Sequence, residues 1–70
     1  MNEQQYGWMG PAFKKIHQEP DWPTLDRPTR IRRLKDACLP LLGTEAPPAA
    51  VQFNDSIWGR ALAHFQGNQH

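Results

Sequence analysis

Seven prolines, at positions 11, 20, 23, 28, 40, 47 and 48, cut this chain of 70 residues into short segments. Proline has no backbone N–H, and its ring clashes with the preceding helical turn. It therefore opens or ends a helix but is costly inside one. Any regular structure must be short and fitted between these positions.

Helical periodicity fills three of the intervals. Pro11 suits the first position of a helix, and Phe13 and Ile16 then fall on one side while Lys14 and Lys15 face out. Pro20 disfavours helical geometry at Glu19, so the spacing predicts a first helix over about 11–18. The segment 19–23, EPDWP, predicts a turn with Trp22 plugged into the core. A second helix begins near Pro28, with Asp26 close to its positive end. Ile31, Leu34, Cys38, Leu41 and Leu42 share one face, Leu39 lies on the polar side, and Pro40 ends the regular helix near Leu39. Gly43 is a natural stop. A third helix is predicted over about 55–66, capped by Asn54 and closed by Gly67. Its apolar face carries Ile57, Trp58, Ala61, Leu62 and Phe65, with Ser56, Arg60, His64 and Gln66 opposite.

The connector 43–50 contains two adjacent prolines and favours extended geometry. Val51-Gln52-Phe53 alternates apolar, polar, apolar, which predicts an extended piece and at most a lone strand. The fold class that follows is all-α: a small single domain, 1–70, of about three short helices with proline-rich irregular loops. Residues 1–5 and 67–70 are expected to be flexible. Apolar residues are 39% of the chain, a low share that seven aromatics spread along its length help to offset.

Charge limits the function classes. The net charge is +1, too small to set up a strong global field. Locally, Arg27, Arg30, Arg32, Arg33 and Lys35 place five positive charges within nine residues. Guanidinium groups suit phosphate and carboxylate because they donate two parallel hydrogen bonds. Three readings of this stretch stand side by side. It contacts a nucleic-acid backbone; it docks on an acidic protein surface; or it is a solvated helix face whose arginines pair with Glu19, Asp26 or Asp36. Tyr6, Trp8 and Trp22 are candidate interface aromatics, because tryptophan, tyrosine and arginine dominate binding energy at interfaces. The alternative for each tryptophan is a place in the core. A helix-turn-helix unit is disfavoured, because the connectors between helices are too long for it.

Catalytic parts are missing from the pattern. Cys38, His17, His64 and His70 lack the paired spacing of a zinc site, so no metal or other cofactor is expected. Cys38 sits on the apolar face and reads as a small buried hydrophobe. Ser56, the single serine, falls in a first helical turn, and the glycines form no phosphate loop. A chain this small is also expected to struggle to enclose a pocket. The lone cysteine, the lack of a long apolar run and the polar start of the chain point to the cytoplasm and away from membranes.

The sequence therefore predicts a regulatory or accessory binding module rather than an enzyme. Its partner is expected to be a larger protein, with nucleic-acid machinery among the candidates, and direct DNA or RNA binding through the same five basic residues is the alternative. Oligomeric state is open, since a two-fold dimer burying Trp58 or Leu39 fits the pattern. In size and composition the chain resembles accessory proteins of phages and plasmids, which act by gripping a host machine; that resemblance assigns no residue.

Overall fold

The computed structural model describes residues 6–67, and of the ends expected to be flexible, 1–5 and 67–70, all but Gly67 lie outside them. The described residues form an all-α fold of three α-helices joined by 3-10 turns. The helices are α1 (Gly10–His17), α2 (Arg27–Cys38) and α3 (Asp55–Gly67). Gly67, expected in the tail, is the last residue of α3.

Each helix boundary has a local cause. A 3-10 turn, Gly7–Met9, feeds α1, whose second residue is Pro11. The Asp26 carboxylate accepts the Thr29 N–H at 3.0 Å and caps α2, with Pro28 in its first turn. One otherwise unpaired N–H is thereby satisfied. Pro40 stops the α-helical bonding of α2 at Cys38, and a 3-10 turn, Leu39–Leu41, follows. Gly43, at φ 87°, then takes the left-handed conformation that reverses the chain. The side chain of Asn54 accepts the Ile57 N–H at 3.0 Å and caps α3.

Two adjacent segments differ from expectation. The connector 43–50, expected to be extended, is turned at 43–46 and enters a 3-10 helix at Pro48. Val51-Gln52-Phe53 does not form an extended piece, because Pro48–Gln52 is a 3-10 helix and Phe53 alone returns to extended geometry. Pro47 and Pro48 fix φ near the value this turn requires. Ala50 N–H then bonds Pro47 C=O at 2.9 Å, and Phe53 N–H bonds Ala50 C=O at 3.1 Å. Ala50 is buried while Val51 stays 65% exposed, so the small side chain, not the branched one, faces inward.

α2 packs against both α1 and α3 and is the centre of the fold. Leu34 and Cys38 of α2 are fully buried, together with Met9, Trp58, Ala61 and Leu62. Phe13 of α1 and Phe65 of α3 stack at 5.1 Å between ring centroids, joining the two outer helices directly. A second aromatic group packs at the other end of α3, with Trp8 edge-on to Trp58 at 6.4 Å and Phe53 against Trp58 at 5.6 Å. No helix among the described residues is long and apolar enough to cross a membrane.

Candidate docking groove on the second helix

The five basic residues are divided by the fold into an inner and an outer set. Arg33 turns back over the turn that precedes α2. Its guanidinium donates to the Glu19 carboxylate and, bidentately, to Asp21 at 2.8 and 3.2 Å. The hydrogen bond from Arg33 holds the Asp21 carboxyl below its ordinary value, and the same contacts raise the guanidinium further. Arg30 reaches the same turn. Its Nε and Nη2 donate to Trp22 C=O at 3.3 and 3.1 Å, and its Nη1 donates to Gln66 Oε1 of α3 at 3.0 Å. The guanidinium carbon also lies 5.0 Å from the Trp22 ring centroid. Both arginines thus tie the 19–26 turn to the helices.

Arg27, Arg32 and Lys35 form the outer set. All three are exposed, and among the described residues none makes an ion pair or a side-chain hydrogen bond. They line an open groove of about 550 Å³ with Pro28, Ile31, Asp36 and, from the start of α3, Asp55. Its lining mixes three cations, two carboxylates and apolar carbon from Pro28 and Ile31.

Gly59, on α3, completes the arrangement. A Cβ built there would meet Arg27 Nη2 at 3.0 Å and Ile31 Cδ1 at 3.5 Å. The guanidinium of Arg27 therefore lies over the bare backbone of α3, held across the gap between the helices. The sequence reading missed Gly59, although a glycine inside a helical pattern is a signal of close approach. It also missed Ile31, Asp36 and Asp55 as groove residues. Their positions on the helical wheel are ordinary, and only the crossing of α2 and α3 brings them together.

The candidate aromatics sit closer to the core. Trp22 is buried at 7% exposure, edge-on to Phe13 at 5.9 Å. Trp8 is half-buried against Trp58 and Phe53, and Tyr6 is half-buried, tilted against His64 at 5.5 Å. Trp58 is itself buried within the chain, and Leu39 is 49% exposed. Cys38 is fully buried, and desolvation pushes its thiol up to about 11, which disfavours the nucleophilic thiolate. Among the described residues, no group of three or more histidine, cysteine or carboxylate side chains is placed to hold a metal. Comparison with protein-family models, with curated proteins and with solved structures returns no match.

Proposed function

We propose that this chain is a small regulatory or accessory module that acts in the cytoplasm by binding a larger protein stoichiometrically. The observation that carries the reading is the division of the basic stretch. Arg30 and Arg33 are used internally, whereas Arg27, Arg32 and Lys35 are left without partners around a partly apolar groove. Unpaired cations beside apolar carbon suit a protein surface, where charge speeds and orients encounter and burial supplies affinity. A binding role rather than catalysis is supported by the burial of Cys38 and by the use of the Asp21 carboxylate in an internal pair.

Direct binding to DNA or RNA is the second reading, and it draws on the same three cations. Asp36 and Asp55 weigh against it, because they put negative charge where a phosphate backbone would run. Salt titration separates the two. Three phosphate contacts give log K falling with log salt at a slope of about −3. The protein reading expects no binding to duplex or single strand at low salt, and it expects the Arg32→Glu, Lys35→Glu variant to lose partners that the parent recovers from host lysate. Nucleic-acid binding with that slope, or identical recovery by both proteins, contradicts it.

A further inference from the structure

The groove has an amphipathic order. Pro28, Arg32 and Lys35 of α2 and Leu39, its helically disposed C-cap, follow one another at intervals of four, three and four, which is the spacing of a single helical face. Leu39 lies just past the groove lining, continues that face one turn beyond Lys35, and is one of two large apolar side chains exposed among the described residues. Ile31 adds apolar surface within the groove. Arg27 stands at the other end, with its guanidinium lying against Gly59.

Resting on the docking role proposed above, we infer that the groove's occupant is an acidic amphipathic helix of the partner protein. Its apolar residues would lie on Ile31 and Leu39, and its carboxylates would face Arg27, Arg32 and Lys35. Charge complementarity selects this occupant. Three cations without partners among the described residues outnumber the two carboxylates of the lining, and the guanidinium forks of Arg27 and Arg32 match carboxylate geometry. The apolar strip selects against a phosphate backbone, which offers no carbon surface to cover Leu39. A helix laid in a groove presents anchors at i, i+3 or i+4, and i+7, the same spacing that α2 offers. Gly59 serves the site by leaving room for Arg27 to reach across to α3.

The test uses the full chain, isotope-labelled, titrated with two synthetic helical peptides of about 15 residues. Both carry leucines at i, i+4 and i+7; one is flanked by glutamates and the other by lysines. The glutamate peptide is expected to move the amide resonances of Ile31, Arg32, Lys35 and Asp55, and to bind about tenfold or more tighter than the lysine peptide. Arg32→Glu with Lys35→Glu is expected to remove that preference. Gly59→Ala should weaken the glutamate peptide a few-fold with the fold intact, since the atom it meets is the end of a flexible side chain. Equal or tighter binding of the lysine peptide at the same amides overturns the acidic occupant and leaves the docking groove standing. A spectrum that stays folded with no groove amide moved by either peptide overturns both. A short DNA duplex moving these amides with a salt slope of about −3 replaces the occupant with a phosphate backbone.

Discussion

Arg30 and Arg33 carry the same charge as Arg27 and Arg32, and the difference between them is what each side chain can reach. Arg30 spans Trp22 and Gln66 with a planar fork that an ammonium cannot copy. Arg30→Lys is therefore expected to cost about 1–2 kcal/mol of stability, measured by urea unfolding. Asp21 and Asp26 are both held below the ordinary carboxylate value of 3.8, the first by the hydrogen bond from Arg33 and the second by Thr29, through its side chain first and its backbone N–H second. A carboxyl depressed by folding stabilises the fold fully above its unfolded value. That contribution is lost as pH falls below 3.8 through the depressed value. Thermal melts should thus weaken on acidification in that range, and Asp21→Asn should flatten part of the dependence. Cys38 is expected to resist alkylation in the folded chain, with a rate that follows unfolding as denaturant is added. The sequence named Glu19 as one possible partner of the arginines and Cys38 as buried. It did not show which arginines turn inward, because that choice depends on the path of the 19–26 turn, which no periodicity encodes.

At the scale of elements, the three helices were legible and the connectors less so. The helix limits follow from prolines and caps that act within a few residues: Pro11, Asp26, Pro40 and Asn54. Val51-Gln52-Phe53 was misread because an alternation of apolar and polar residues over three positions does not distinguish an extended piece from the end of a 3-10 turn. Neighbouring Pro47 and Pro48 decided the matter. Core substitutions should follow burial. Leu34, fully buried between α1 and α3, is expected to lose about 2–5 kcal/mol on replacement by alanine, whereas half-buried Phe65 should lose less than a buried phenylalanine does. A loss below about 1 kcal/mol for Leu34→Ala would contradict the assigned faces. Gly59→Ala should leave the helix intact and raise its stability by up to about 1 kcal/mol, since glycine disfavours a helix interior. Calorimetry that showed a large loss instead would mean that Arg27 and Ile31 cannot yield around the new methyl.

For the whole molecule, the radius of gyration of 11.4 Å is close to the roughly 11 Å of a compact chain this long. Aromatic packing makes that possible in a chain poor in aliphatic residues. The Phe13–Phe65 stack joins α1 to α3, and the Trp8, Phe53 and Trp58 group joins α3 to the N-terminal turn. The same packing sets Arg30 and Arg33 against the turn and leaves Arg27, Arg32 and Lys35 facing water over the groove. The most direct test is arginine side-chain NMR on the intact chain, resolving each guanidinium. Arg30 and Arg33 should show distinct, slowly rotating and exchange-protected groups, while Arg27 and Arg32 should show averaged, rapidly exchanging ones. Four guanidinium groups with the same exchange and rotation would contradict the division on which the binding face depends.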